Sequence, residues 1–202
     1  MKKTFTIVTV LILIMIGCSS HEQLPSTADA FDHSRRNLQN YATPELFTIM
    51  GNLGMRFNYG NSPPNIEGTF LASRLKLLAS NIAGDIPNSF FSDTNLKFEN
   101  FDRTGSGIEL SYATTNGSEF SRQNNGIISG NGNRFTIVAK QTITEDDLTA
   151  ESIIAVSGKL TPNGITDFQF GLFMLDNHGS TEFIGNNQGR IFYDSDNLAQ
   201  RQ

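Results

Sequence analysis

The feature that most constrains the fold is a series of short runs in which apolar and polar residues alternate. Such alternation is typical of strands with one buried face. Asn116-Gly117, the GNGN sequence at 130–133 and Asn163-Gly164 lie between successive runs and supply residues that tolerate positive φ. Because these turns are short, neighbouring strands are expected to pair antiparallel. The pattern predicts a mainly β protein, an antiparallel eight-stranded up-and-down barrel, with a two-sheet sandwich as the alternative.

One short N-terminal helix is predicted over residues 44–53. Thr43 supplies a capping hydroxyl, Pro44 suits the first helical position and Glu45 lies in the first turn. Its apolar face consists of Leu46, Phe47, Met50 and Leu53. A helix of this length is marginal alone in water, so we expect it to pack across the open end of the barrel. The single predicted domain covers residues 41–202.

The chain begins with an export signal. Two lysines precede an apolar run at 5–16, which is too short to span a bilayer and suits a signal peptide over residues 1–17. The run ends at Gly17-Cys18, and this arrangement resembles the lipobox of bacterial lipoproteins, which implies palmitate-type acylation of Cys18. An ordinary secretory peptide is the alternative. The predicted location is the cell envelope, lipid-anchored, with Ser19 after the cysteine favouring the outer membrane.

Residues 18–40 are polar and show little periodicity, so the sequence predicts a lipidated cysteine followed by a flexible tether. His21 and His33 would then lie outside the folded body. Removal of Lys2 and Lys3 with the signal peptide changes the net charge from −5 to −7. An acidic chain lacks the basic stripe that nucleic-acid binding requires, so no nucleic-acid partner is expected.

Three stretches, PPNIEGTF (63–70), ISGNGNRFTI (128–137) and GRIFYD (189–194), resemble an uncharacterised lipocalin-like lipoprotein family of gut-dwelling Gram-negative bacteria. The resemblance implies a lipocalin-like β-barrel over most of the chain after the signal peptide. It implies no activity and no ligand, because the matching residues are turns and strand starts.

The residues do not assemble a recognisable catalytic or metal site. A nucleophilic triad needs a histidine beside Ser or Cys, and His178 is the one histidine expected in the folded body, in a turn. The acidic run at 145–147 is expected to be a solvated loop, and Asp194–Asn197 a polar chain end after the last strand. We therefore predict no enzyme, no cofactor and no metal.

Large apolar side chains on the predicted inward faces define the candidate site. An eight-stranded barrel is close to the size at which the interior either is packed or holds one small ligand. The first hypothesis is a non-enzymatic binding module for a small hydrophobic ligand; the alternative is a solidly packed interaction subunit that contacts an envelope protein. The predicted cavity lining is Phe70, Phe98, Tyr112, Phe135, Phe168, Phe170 and Met174.

Overall fold

A computed structural model describes residues 27–104, 106–145 and 147–202. The signal peptide, Cys18 and His21 lie outside the described residues. Strands make up 53% of the structure and helices 14%, so the prediction of a mainly β, antiparallel protein is confirmed. The described residues form two helices instead of the single predicted one.

The helices are α1 (Thr27–Ala42) and α2 (Pro44–Asn52). The strands are β1 (Asn61–Ser62), β2 (Gly68–Ala72), β3 (Leu75–Ser80), β4 (Thr94–Asp102), β5 (Gly107–Thr114), β6 (Phe120–Asn131), β7 (Arg134–Glu145), β8 (Leu148–Thr161), β9 (Gly164–Asp176), β10 (Gly189–Asp194) and β11 (Ala199–Arg201).

Eight strands form a closed ring. From β4 to β9 each strand pairs antiparallel with the next along the chain. β2 pairs with β4, and the short β11 pairs with both β2 and β9, which closes the ring. β10 also pairs antiparallel with β9 and with β3. One position of the ring is therefore shared by the consecutive strands β2 and β3, and the position beside it by β10 and β11. We call this junction the seam.

The interior of the ring is the main hydrophobic core. Alternate residues of each strand point into it, as the sequence pattern requires. Its largest members have less than 2% of their surface exposed and include Phe70, Phe98 and Phe135. Phe70 and Phe98 come from paired strands, and their ring centroids lie 5.8 Å apart.

A second core lies outside the ring, where the helices cover the outer faces of β7, β8, β9 and β10. The outward side chains there are themselves apolar: Val138, Ile153, Ala155, Phe173 and Ile191 are at most 1% exposed. They pack against Leu46, Phe47 and Met50 of α2. The prediction of a helix at 44–53 is confirmed, with Thr43 Oγ1 accepting from Leu46 N. Its predicted place across the open end is wrong, because this apolar outer wall offers a better partner.

The prediction of a flexible tether is wrong for residues 27–40, which belong to α1. Ser34, Leu38 and Ala42 recur every fourth residue and are buried against the outer wall. The Ser34 hydroxyl donates to Phe31 O and accepts from Gly60 N, so a polar residue is satisfied in the buried stripe. Tyr41 donates from its hydroxyl to Asn125 O over 2.6 Å. His33 therefore lies on the exposed side of a folded helix, not outside the body.

Leu38→Ala tests whether α1 is part of the folded body in solution. Leu38 is fully buried, so truncation should lower the free energy of unfolding by about 2–3 kcal/mol through the lost transfer energy and the cavity. Urea unfolding followed by fluorescence or circular dichroism measures it. Asn37→Ala, on the exposed face of the same helix, should change stability by less than about 0.5 kcal/mol. Equal stability of the two variants would mean that residues 27–42 are a tether after all.

Gly164→Ala tests the seam. Gly164 begins β9 opposite β11 at φ 149°, and an added Cβ would overlap the carbonyl oxygen of Ala199. Backbone strain and overlap together should cost at least about 2 kcal/mol of unfolding free energy. The matched control is Gly117→Ala at φ 72°, where no heavy atom lies within 4 Å of the added methyl, so strain alone should cost about 1 kcal/mol. Thermal and urea unfolding of both variants make the comparison.

Candidate functional site

One end of the ring contains a small apolar cavity. Its volume is about 50 Å³, and it lies beneath the β5–β6 turn and the long connection between β3 and β4. Six of the eleven lining residues are apolar or aromatic, and the other five supply hydroxyls and one carboxylate. The lining residues are Leu75, Phe91, Ser92, Thr94, Tyr112, Thr114, Ser118, Glu119, Phe170, Leu172 and Phe192.

Tyr112 links the cavity to the packed core. Its ring meets that of Phe170 edge-on at a centroid distance of 5.3 Å. Burial raises the pKa of the Tyr112 phenol to about 12, and the negative charge of Glu119 acts in the same direction. The phenol therefore keeps its proton at every physiological pH, and its hydrogen bond with Gln141 acts in the opposite direction without reversing the shift.

Exposed phenylalanines lie in the cavity lining or next to lining residues along the chain. Phe91 lines the cavity and packs on Phe192, while its neighbour Phe90 is 64% exposed. Phe120, next to the lining residue Glu119, is also 64% exposed. We call Phe90, Phe91 and Phe120 the rim phenylalanines. Two of the three have a cation over the ring: Lys76 Nζ lies 4.6 Å from the centroid of Phe90, and the Arg122 guanidinium 5.3 Å from that of Phe120.

The β3–β4 connection that carries two rim phenylalanines is held to the ring by side chains. Arg190 on β10 makes a bidentate pair with Asp85, at 2.7 Å and 3.0 Å. The guanidinium lowers the pKa of the Asp85 carboxyl. Asn81 accepts from Gly189 N and donates to Asn187 O, which ties the start of the connection to the end of the β9–β10 loop. The rim is therefore positioned by the scaffold.

The structure separates the predicted lining residues into groups. Tyr112 and Phe170 line the cavity. Phe70, Phe98, Phe135 and Phe168 are buried within the packed core of the ring, and Met174 is buried outside that cluster. That any of the seven contacts a ligand stays a prediction. The rim phenylalanines escaped the sequence reasoning because Phe90 and Phe91 lie in the β3–β4 connection and Phe120 begins β6, whose first half shows no apolar alternation.

The candidates for chemistry lie apart from the cavity lining. His178 is exposed, and its Nδ1 lies 3.3 Å from Asp176 Oδ2 in the loop after β9. Within the three described ranges, no group of three or more His, Cys, Asp or Glu side chains is arranged to hold a metal ion. Cys18 falls before the first described residue, so its acylation stays a prediction.

The prediction that Asp194 and Asp196 belong to a polar chain end is wrong. They do not form a chain end after the last strand, because β11 follows them and they connect β10 to β11. Asp194 is only 4% exposed. Its Oδ1 accepts from Asp196 N, whereas its buried Oδ2 has no hydrogen-bond partner. A buried carboxylate oxygen without a donor is rare in folded proteins and calls for a physical explanation.

Comparison with known proteins adds no relationship. No protein-family model matches the chain, and no curated protein or solved structure is significantly similar to it. Among the described helices, neither is long and apolar enough to cross a membrane.

Proposed function

We propose that the protein is a lipid-anchored, non-enzymatic binding module of the cell envelope, and that it engages a partner through the cavity end of its ring. The ring is then an eight-stranded, up-and-down, lipocalin-like barrel that serves as a rigid support. The observation that carries this proposal is the set of exposed rim phenylalanines on the segments that line the cavity. Solvent-exposed aromatic side chains grouped around a pocket are characteristic of binding surfaces.

The packed interior favours a protein partner over an enclosed small ligand. Pockets that enclose drug-sized molecules have volumes of roughly 300–1,000 Å³. The cavity measures about 50 Å³, and side chains such as Phe70, Phe98 and Phe135 are packed in the core of the ring. A partner could therefore insert one small apolar group, which is the arrangement of an anchoring side chain at a protein interface.

The direction of α1 supports an outward-facing rim. Ser34 lies beside Gly60, which neighbours Gly130 near the end of β6, and Tyr41 contacts Asn125 further towards its start. The helix therefore begins near the β6–β7 turn, whereas Glu119 of the cavity mouth lies just before the start of β6. The chain enters the body at the opposite end of the ring from the cavity.

The short connection to Cys18 limits how the body can turn. Eight residues separate Cys18 from Thr27, and an extended chain of that length spans about 30 Å. If Cys18 carries the lipid, the bilayer lies towards the end of the ring at which α1 begins. The rim phenylalanines, at the opposite end, then face away from the bilayer. The anchor then holds the body while the rim remains accessible to a second envelope component.

A small hydrophobic ligand is the second candidate. The specific observation in its favour is that Leu75, Leu172 and Phe192 line a cavity that is partly open to solvent. Such a ligand would have to place only a small part of itself in the cavity. A bound molecule in native mass spectrometry of the purified protein would favour this candidate over the protein partner.

Photo-crosslinking in cells tests the protein-partner proposal. A photoreactive phenylalanine analogue in place of Phe120 should give a discrete protein crosslink, and Phe90→Ser in the same chain should remove it by deleting part of the apolar surface. The control position is Phe31, also an exposed phenylalanine, on α1 at the other end of the ring. It should not give that crosslink. Crosslinking of position 120 to lipid, or an identical product from both positions, would contradict the proposal.

Acylation is tested separately at Cys18. Cys18→Ser should abolish incorporation of a fatty-acid analogue and release the protein from the membrane fraction, because lipid chains supply the binding energy. The free energy of unfolding should not change, since the packing described for the helices and strands is made by residues from Thr27 onward. Metabolic labelling and fractionation of both forms provide the measurement. Unlabelled wild-type protein that remains on the membrane would show that something other than acylation holds it there.

A further inference from the structure

Two carboxyl groups meet at the seam of the ring. Asp194 ends β10, and Asp196 lies two residues later in the turn that leads into β11. Opposite them is the break between β2 and β3, at Ser73 and Arg74. The same few residues therefore contain the interruptions of both strand pairs that close the ring.

Hydrogen bonds join the two interruptions. Ser195 donates from its backbone N and its hydroxyl to Arg74 O, the hydroxyl bond being 2.8 Å. Ser73 donates from its hydroxyl to Asp196 Oδ2 over 3.3 Å. Arg74 N donates in turn to Asp93 Oδ1, just before β4. These contacts set the position from which β11 reaches β2 and β9.

Within this network, Asp194 Oδ2 makes no hydrogen bond, and the Ser73 backbone N–H that approaches the carboxyl only partly opposes the rise in its pKa. A buried carboxylate oxygen in that state carries a desolvation cost, and a neighbouring carboxylate adds repulsion. A proton held between Asp194 and Asp196 removes both penalties, because one carboxyl then donates to the other. We propose that Asp194 and Asp196 share one proton, and that this carboxyl pair stabilises the seam of the ring in a pH-dependent way.

The ionisation of the pair agrees with this arrangement. Burial first, and the neighbouring Asp196 carboxyl second, raise the pKa of Asp194 to about 7. The pKa of Asp196 is lowered, mainly by its hydrogen bond with Asp194 and to a smaller degree by the charge of Arg74. The charged groups that approach from the facing segments are Arg74 and Asp93, whose contacts are given above. The pair holds one proton in acid and loses it near neutrality.

The direction of the pH effect follows from where the proton is bound more tightly. In the unfolded chain an aspartate has a pKa of about 3.9. Between that value and about 7 the folded protein binds one proton more than the unfolded chain at this site. The contribution of the pair to stability is therefore fully present in acid, declines as pH rises towards 7 and is constant above it. The inference does not depend on the proposed function.

The test compares full-length wild-type protein in a mild detergent with Asp194→Asn. Urea unfolding is measured at intervals from pH 5 to pH 8.5. The ratio of the unfolding constants, wild type over Asp194→Asn, should rise up to about tenfold per pH unit between pH 5 and 7 and then level off. Asp147→Asn, exposed in the β7–β8 turn, is the control, and its ratio to wild type should stay flat.

Two further measurements on the wild-type protein keep the proposal testable if Asp194→Asn does not fold. In a ¹³C NMR titration, the chemical shift of the Asp194 carboxyl carbon should change with a midpoint near pH 7. The amide of Ser195 should be less protected from hydrogen exchange at pH 8 than at pH 6, after correction for the intrinsic exchange rate. An Asp194 midpoint below pH 5 would overturn the proposal. So would seam protection at pH 8 that depends on added calcium, since the carboxylates would then hold a cation instead of a proton.

Discussion

The closure of the ring by β11 is the constraint on which the rest of the structure depends. Three residues, Ala199–Arg201, pair with β2 on one side and β9 on the other, and without them the sheet would have two open edges. β11 can reach both neighbours only because regular strand structure is interrupted between β10 and β11 and again between β2 and β3. The buried Asp194 and the hydrogen bonds of Ser195 lie in these breaks, so an unusual polar cluster accompanies the closure.

Closure also explains why the proposed binding surface lies at an end of the ring and not in its middle. Inward side chains of the described strands fill much of the ring's interior, and a small cavity lies beneath the β3–β4 connection. The wall is covered on one side by α1 and α2, which occupy the outer faces of β7 to β10. The apolar side chains that remain exposed near the cavity are therefore those of the turns and connections, above all Phe90 and Phe120.

Much of the fold could be predicted because alternation and turn chemistry act locally. The strands around Phe98, Phe135 and Phe170 and the helix capped by Thr43 are examples. β6 could not be predicted over its first half, since the SRQNN sequence at 121–125 has no apolar alternation and is held by its neighbours. The helix α1 was missed because its buried stripe contains Ser34 and a single leucine. The burial of Gln169 could not be predicted either, because its side chain bonds to Arg56 N and Gly54 O, which lie 113 and 115 positions away in sequence. The rim and the Asp194–Asp196 pair depend equally on contacts between segments distant in sequence.

The attachment of α1 to the outer wall has a mechanical consequence. Tension that reaches the body through the residues before Thr27 would act first on the helix, whose N-terminal contacts are Phe31 on Tyr59 and Ser34 with Gly60. Such a load breaks the contacts between α1 and the outer wall one helical turn at a time. In the antiparallel ladders of the ring, many hydrogen bonds share the load. Under force the helix would detach before the ring opened, and the apolar wall at Val138 and Ile153 would become exposed.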